Sequence, residues 1–248
     1  MLKRLVLRLL EAGIVRLNRQ SLAALLEQLT VSYSRRLNAS ESLRFLFDLD
    51  NRLYLLQGEL SVAYGHGMHT KHRHTRYHDF FTGRVHTGER VLDIGCGMGA
   101  VAHAVADKTG AHVVAVDLSS GNITSALKYF SHPNVTYMVG DALTDLPDEE
   151  IDVVILSNVL EHLAERTSFL RRVQETVCPD RFLVRVPLFE RDWRVPLKRE
   201  LGIEWRLDPT HETEYTVESF VAEVQAAGLG VSHMEIRWGE IWSELCTQ

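Results

Sequence analysis

A glycine-rich turn between an apolar run and an alanine-rich run is the segment of this chain best suited to bind a ligand. Residues 90–102 read R-V-L-D-I-G-C-G-M-G-A-V-A; the run 91–94 is typical of a buried strand, and 100–108 holds good helix formers. Glycines permit positive φ and remove Cβ atoms that would meet a ligand, while a helix start offers free N–H donors to an anionic group. For this motif alone, the alternative is a tight turn that binds nothing.

Polar residues also follow the next three apolar runs. In chain order they are Asp117, Asp141 and the pair Ser157-Asn158. If these runs are parallel strands, their carboxyl ends form one edge of a sheet, where ligands bind. An acidic residue after the second strand can accept hydrogen bonds from a ribose diol, so Asp117 argues for a nucleoside-containing cofactor. The alternative for Asp117 is a helix N-cap, although Ser119 and Ser120 are also available as caps.

Two histidines fall where a general base would be useful. His162 follows the fourth apolar run in E-H-L, and His211 lies in D-P-T-H-E-T-E-Y-T, just before the last predicted helix. Histidine accepts protons readily near neutral pH, so both are candidate catalytic residues. For His162 the alternative is a place in the first turn of a helix, where Glu161 suits the helix dipole.

A histidine-rich stretch precedes the glycine turn. Six of the twelve histidines of the chain lie within 65–88. His74 and His78 stand four residues apart on a presumed helix and could supply two ligands, but no cysteine is near and the spacing matches no metal site, so we expect no bound metal. The alternative is a basic helix lying over a ligand pocket, with Lys71, Arg73 and Arg76 facing an anionic group.

Strands and helices alternate regularly from residue 91 onwards, which predicts an α/β fold. We expect a Rossmann-like, seven-stranded, mostly parallel sheet that ends in an antiparallel C-terminal hairpin. The predicted strands are 91–94, 112–116, 135–139, 151–156, 182–186, 230–237 and 240–246. The predicted helices are 100–109, 119–131, 161–177 and 217–227.

The remaining segments are predicted to cover this core. Residues 1–84 form an N-terminal helical region and lid, with helices over 21–29 and from about Ser40, and residues 85–248 form the core. Residues 188–215 lack a regular period and hold two tryptophans, four arginines and a lysine, which indicates a substrate cover. These side chains could stack on and pair with a carbohydrate or an anionic acceptor, or simply hold a loop with a solvated basic face.

Composition narrows the class of protein and its location. The chain has 248 residues, 45% hydrophobic content and a formal charge of −6, which suits a globular protein and argues against DNA or a broad RNA footprint. Three cysteines without disulfide or metal spacing indicate reduced thiols in the cytoplasm. We expect neither a signal peptide nor a membrane span. The basic amphipathic pattern of residues 1–20 leaves peripheral membrane association or a homodimer contact open.

Four motifs in order resemble those of the class I S-adenosylmethionine-dependent methyltransferases. They are V-L-D-I-G-C-G-M-G, V-A-V-D-L-S, V-G-D-A-L and D-V-V-I-L-S-N-V-L-E-H-L, and the resemblance covers residues 85–246. It implies a methyltransferase that uses S-adenosylmethionine as its cofactor.

The resemblance also implies which residues contact that cofactor. They are Asp93, Gly95, Cys96, Gly97, Asn158 and Val159 for the methionine part, Asp117 for the ribose, Leu118, Asp141 and Ala142 for the adenine, and the lid residues Tyr77 and His78, with Arg73 on the carboxylate.

The methyl acceptor is expected to be an oxygen atom. The N-P-P-Y pattern of many amino-group methylators is absent after the fourth strand, where S-N-V-L stands instead. The E-H-L continuation and the H…Y-T segment resemble methyltransferases of sugars, glycans and natural products. The prediction is therefore O-methylation of a small molecule, a sugar or a glycan precursor. An RNA methyltransferase and a nicotinamide-dependent oxidoreductase that uses the glycine turn are the alternatives.

Overall fold

The computed structural model describes residues 13–66 and 68–247. The chain divides into two compact units, one of Met1–Gly58 with Lys198–Ile203 and one of Glu59–Leu197 with Glu204–Gln248. None of the described helices combines the length and the apolar character that crossing a membrane would require. The predicted membrane or dimer contact of residues 1–20 rests mainly on residues 1–12, which lie outside the described residues.

The described part of the first unit is helical. Helix α1 (Arg19–Ser34) begins after Asn18, whose Oδ1 accepts a hydrogen bond from Ser21 N at 2.9 Å. Helix α2 (Ala39–Tyr64) follows, and Tyr33 packs edge to face on Phe45 with 4.7 Å between the ring centroids. The helices predicted over 21–29 and from Ser40 are thus parts of longer helices.

Two short helices lead from the histidine-rich stretch to the sheet. They are α3 (Lys71–Thr75) and α4 (His78–Thr82). Arg76 lies between them with φ of +52°, a left-handed conformation that ends α3. The prediction that His74 and His78 share one helix is therefore wrong, because the backbone turns between them.

The second unit is built on a seven-stranded sheet, which confirms the predicted fold class. Its strands are β1 (Arg90–Ile94), β2 (His112–Asp117), β3 (Val135–Val139), β4 (Val153–Ser157), β5 (Arg181–Pro187), β6 (Leu229–Arg237) and β7 (Glu240–Thr247). Their order is β3-β2-β1-β4-β5-β7-β6. The first five strands are parallel, and β7 runs antiparallel to both β5 and β6.

Successive side chains of the central strands point to opposite faces of the sheet, and different helices cover the two faces. In β4, Val154 and Leu156 join one apolar cluster while Val153 and Ile155 join the other. The helices that connect the strands are α5 (Ala100–Thr109), α6 (Ser120–Tyr129), α7 (Arg166–Val177) and α9 (Val217–Ala226). Each fully buried large side chain contributes about 1.5–3 kcal/mol, so the sheet is a firm base for the loops at its edge.

Two segments differ from the prediction. The helix expected over 161–177 is split into a 3-10 turn (Leu160–His162) and α7, because Leu163 adopts an extended conformation between them. The segment 188–215, predicted to be irregular, contains a 3-10 turn (Phe189–Arg191) and the helix α8 (Arg194–Glu200). Side chains on the exposed turns of α8 are mainly charged, which hid its period in the sequence.

Candidate active site

The connections of the sheet change direction at β1. Because β2 lies on one side of β1 and β4 on the other, the loops that leave the carboxyl ends of β1 and β4 diverge. The glycine turn follows β1, and Asn158 and Val159 follow β4. A crevice between these loops is the usual ligand site of open α/β sheets.

The glycine turn is held by hydrogen bonds to β2 and has open space beside its second glycine. The N–H groups of Gly95 and Cys96 donate to Val116 O at 2.8 and 3.1 Å. Gly95 has φ of +69°, and a Cβ there would lie 2.6 Å from Val159 Cγ2. Gly97 has φ of +55°, yet a Cβ there would meet no described atom within 4 Å. The turn therefore packs closely at its first glycine and leaves room for a ligand at its second.

Asp117 connects the glycine turn to the end of β2. Its Oδ2 accepts a hydrogen bond from Gly97 N at 2.8 Å, and its Oδ1 accepts from Ser119 N at 2.9 Å and from Asn122 Nδ2 at 3.0 Å. The N-cap of α6 is Ser119, whose Oγ accepts from Asn122 N at 3.3 Å. Since a carboxylate offers about four lone-pair sites, Asp117 keeps capacity for a further donor from a ligand.

Two buried acceptors at the crevice have no donor among the described residues. They are Asp93 Oδ2 and Asn158 Oδ1. Burial raises the pKa of the Asp93 carboxyl to about 8, and the neighbouring Asp117 adds to the rise. Asn158 has φ of +59°, a left-handed backbone conformation that asparagine adopts more often than most residues. Unpaired buried acceptors are costly, and a ligand that carries N–H donors would supply the missing partners.

The residues predicted at the adenine lie on the loops after β2 and β3. Leu118 is 74% exposed although it is apolar, and it directly follows Asp117. Gly140 N donates to Asp117 O at 3.1 Å, which joins the two loops, and Asp141 Oδ1 is occupied by Leu143 N at 2.8 Å. Ala142 packs against the core. An exposed apolar side chain beside a carboxylate is a suitable seat for a flat heterocycle next to its ribose.

The predicted lid residues meet a buried arginine. Tyr77 is 5% exposed, and its ring lies 3.9 Å from the Arg185 guanidinium carbon. Burial raises the pKa of Tyr77 to about 12, and its hydroxyl hydrogen-bonds to His72 Nδ1 at 2.7 Å. The His78 ring packs on Tyr77 with 4.3 Å between the centroids. Arg73 is exposed on α3.

Arg185 is a residue that sequence reasoning missed. It lies in β5, where its Nε and Nη2 donate to the two carboxylate oxygens of Glu240 at 2.6 and 2.7 Å and its Nη1 donates to Ser157 Oγ at 3.1 Å. The available signal was a charged residue inside the apolar run F-L-V-R-V. Such a residue needs a partner, because an isolated buried charge is strongly unfavourable.

The two candidate catalytic histidines come together beside the crevice. The rings of His162 and His211 lie 4.7 Å apart at 82°. The carboxylate of Glu161 is fully buried next to them, and burial raises its pKa to about 8. Glu161 is a second residue that sequence reasoning missed, because a place in the first turn of a helix seemed a sufficient explanation for it. The pair of His162 and His211, by contrast, follows from two separate sequence motifs.

S-adenosylmethionine fits the groups around the crevice. Asp93 and Asn158 offer unpaired acceptors for its ammonium group, Gly97 leaves space, and Asp117 and Leu118 suit the nucleoside. This sheet order, its reversed β7 and this crevice are those of the class I S-adenosylmethionine-dependent methyltransferase fold.

Comparison with known proteins agrees. Residues 92–184 match a family model described as a methyltransferase domain. The ubiquinone biosynthesis O-methyltransferase of Azorhizobium caulinodans is 34% identical over 167 residues, which are 63% of this chain and 65% of that protein. The chain therefore covers less than two thirds of the length of this relative.

Solved structures show the same fold. Magnesium protoporphyrin IX methyltransferase from Synechocystis, with bound S-adenosylhomocysteine, aligns with a TM-score of 0.56 at 17% identity over 71% of this chain and 84% of its own. An S-adenosylmethionine-dependent methyltransferase from Mesorhizobium loti aligns with a TM-score of 0.55 at 16% identity, covering 69% of this chain and 97% of its own. The chain thus has the class I methyltransferase fold, with a methyltransferase domain over residues 92–184, and neither the RNA nor the oxidoreductase alternative is favoured.

Proposed function

We propose that this chain transfers the methyl group of S-adenosylmethionine to an oxygen atom of a small-molecule acceptor. One observation carries the proposal: the segment directly after β4 bears both Asn158, whose buried Oδ1 lacks a donor among the described residues, and His162 of the ionisable cluster. This segment could therefore contribute to the cofactor side and to the acceptor side of a transfer site. The O-methyltransferase function of the Azorhizobium caulinodans relative supports the choice of oxygen.

The chemistry asks the protein mainly to align the two reactants and to remove a proton. Bound S-adenosylmethionine supplies a sulfonium methyl group that is already activated for attack. The acceptor hydroxyl must lose its proton as its oxygen bonds to the methyl carbon, while the bond from that carbon to sulfur would break and leave S-adenosylhomocysteine. Holding both reactants in line is worth several kcal/mol. The cluster of Glu161, His162 and His211 is available to promote this proton loss. An acceptor can reach it through His162, which is exposed while the other two residues are buried.

We propose an aromatic hydroxyl, such as that of a quinol or phenol, as the acceptor class. The name of the relative supports a quinone-type acceptor, whereas the expectation of a sugar or glycan rests on sequence resemblance alone. Tyr77, directly before α4, and His78, its first residue, are proposed as a lid over the cofactor. A cytoplasmic location is part of this proposal and is supported by the three free cysteines of the chain.

Two measurements test the proposal. Calorimetric titration with S-adenosylhomocysteine should show one site, and S-adenosylhomocysteine formation should rise with phenolic acceptors more than with matched anilines or sugars. His211→Ala should keep its affinity for S-adenosylhomocysteine and lose about 100-fold or more in turnover, while the exposed His233→Ala serves as the control. Faster S-adenosylhomocysteine formation with an aniline than with the matched phenol would contradict an oxygen acceptor. Absence of S-adenosylhomocysteine binding would contradict the whole proposal.

A further inference from the structure

Glu161, His162 and His211 form a compact cluster with three potential metal-ligand atoms, whereas proton transfer requires only one base. One ring nitrogen from each histidine and one Glu161 carboxylate oxygen all lie within 4.8 Å of one another. Two segments far apart in sequence build this cluster. The Glu161 carbonyl accepts hydrogen bonds from Glu212 N at 2.7 Å and Thr213 N at 3.2 Å, which fixes the chain around His211 against the turn that carries His162.

Hydrogen bonds set the tautomer of the His211 ring. Its Nδ1 lies 3.0 Å from Glu214 Oε1, and the Glu214 side chain is fully buried. Arg191 pairs with the other oxygen of this carboxylate, and Leu207 N donates to Oε1 at 2.5 Å. An ionised carboxylate only accepts hydrogen bonds, so Nδ1 of His211 carries the proton. The lone pair of Nε2 is therefore free to bind another group.

The tautomer of His162 is set in the same way. Its Nδ1 lies 3.0 Å from Thr210 Oγ1, and that hydroxyl donates its only proton to Asp208 Oδ1 at 2.7 Å. The Thr210 oxygen must therefore accept from His162, so Nδ1 carries the proton and Nε2 has a free lone pair. Histidines that ligate a metal almost always donate their other ring N–H to such a partner.

Glu161 adds two buried carboxyl oxygens that no described group binds. Its side chain is fully buried, and neither carboxylate oxygen has a hydrogen-bond partner among the described residues. Arg185 is the nearby cation, but its guanidinium is bound to Glu240 and Ser157. Buried polar atoms without a partner are costly, and a bound cation would supply the missing partner for the ionised form of this carboxyl group.

We propose that Glu161, His162 and His211 bind one divalent transition-metal ion. Two imidazole nitrogens and one carboxylate oxygen are a donor set that suits zinc, iron or cobalt rather than magnesium or calcium. Three protein ligands leave coordination positions open, as in catalytic metal sites. The exposure of His162 gives an acceptor access to them. This site is distinct from the histidine-rich stretch of residues 65–88.

The role of the ion rests on the proposed function. An acceptor hydroxyl that binds at an open position would have a lowered pKa and would lose its proton to solvent, so the ion would activate the oxygen in place of a histidine base. Binding of the ion itself does not depend on this role. The two ideas can therefore fail separately.

Calorimetric titration of the EDTA-treated full chain with Zn²⁺, and visible absorption with Co²⁺, would test the site. We expect one ion per chain in the wild type. Glu161→Gln, which keeps the side-chain shape, should weaken binding by at least about 100-fold, and Thr210→Val, which changes only the exposed support of His162, by about 10-fold. His74→Gln, in the histidine-rich stretch, is the matched control and should bind like the wild type.

Unchanged Zn²⁺ affinity in Glu161→Gln, loss of binding in His74→Gln, or no saturable binding at all would each overturn the site. Titration of the same metal-free protein with S-adenosylhomocysteine separates the two proposals. Loss of cofactor binding with intact Zn²⁺ binding contradicts the proposed function and leaves the metal site in place. Intact cofactor binding without Zn²⁺ binding contradicts only the metal site.

Discussion

Asp117 both shapes the glycine turn and faces the ligand crevice. It receives hydrogen bonds from the turn that follows β1 and from the first residues after β2. Neutralising or removing its carboxylate would therefore disturb the loop and the proposed ribose contact together.

We predict that Asp117→Ala weakens S-adenosylhomocysteine binding by at least about 10-fold, because hydrogen bonds to a charged acceptor contribute about 1.5–3 kcal/mol. Calorimetric titration measures this affinity. Asp107→Ala, on an exposed position of α5, is the control and should bind like the wild type. Equal affinities in the two variants would mean that the ribose does not bind at Asp117.

At the residue scale, the sequence predicts the place of a residue that belongs to a recognisable motif. It does not predict the place of a residue whose role depends on burial. Asp117 and Asp93 stand near the ends of strands in recognisable patterns, so their position at this edge of the sheet was predictable. Glu161 is distinguished only by its burial, at 0% exposure, and the hydrogen-bonded partner of Arg185, Glu240, is likewise invisible in the sequence. Burial arises from the packing of distant segments, which a single sequence does not reveal.

At the scale of elements, the first two glycines of the turn, Gly95 and Gly97, have different structural roles. Gly95 is required by the packing of the turn on Val159, whereas Gly97 borders open space. The same substitution should therefore affect stability at one position and ligand binding at the other.

We predict that Gly95→Ala lowers the free energy of unfolding by about 2–4 kcal/mol, since positive φ and overpacking both contribute. Gly97→Ala should cost only about 1–2 kcal/mol, for its backbone conformation, but should weaken S-adenosylhomocysteine binding. Urea unfolding and calorimetric titration measure the two effects. The reverse order of stabilities would contradict the close contact between Gly95 and Val159.

The element boundaries show which signals the sequence lacks. The alternation of strands and helices was predictable, because buried strands and amphipathic helices have distinct periods. The break between the 3-10 turn Leu160–His162 and α7 was not, since nothing in E-H-L-A-E-R forbids a helix. This break follows from the hydrogen bonds that Glu161 O accepts from residues 212 and 213. The meeting of His162 and His211 depends on the same long-range contact.

At the scale of the whole molecule, buried titratable groups make stability depend on pH with opposing signs. Burial lowers the pKa of His72 and His78 to about 4 and raises those of Asp93 and Glu161 to about 8. The histidines favour folding above their unfolded pKa of about 6.5, and this contribution is lost as the pH falls towards 4. The acids act in the opposite direction, because their folded state holds the proton more tightly.

We predict that His78→Gln gains stability relative to the wild type as the pH falls from 6.5 to about 5, because the variant has no group to protonate on unfolding there. The charged groups around His78 are Arg185, Lys108 and Asp79, of which the first two oppose its protonation. Melting temperatures of both proteins across this range measure the effect, with His86→Gln as an exposed control. A difference between His78→Gln and the wild type that does not change with pH would show that His78 titrates normally.

The ion pair of Arg185 and Glu240 has a consequence for the order in which the protein assembles during synthesis. The two residues are 55 positions apart, and Glu240 belongs to β7, which emerges after every other strand of the sheet. Until β7 arrives, Arg185 is a cation in an apolar strand without its hydrogen-bonded partner Glu240, so burial of β5 is unfavourable. A nascent chain therefore leaves this side of the sheet open, and the last strand to leave the ribosome closes it.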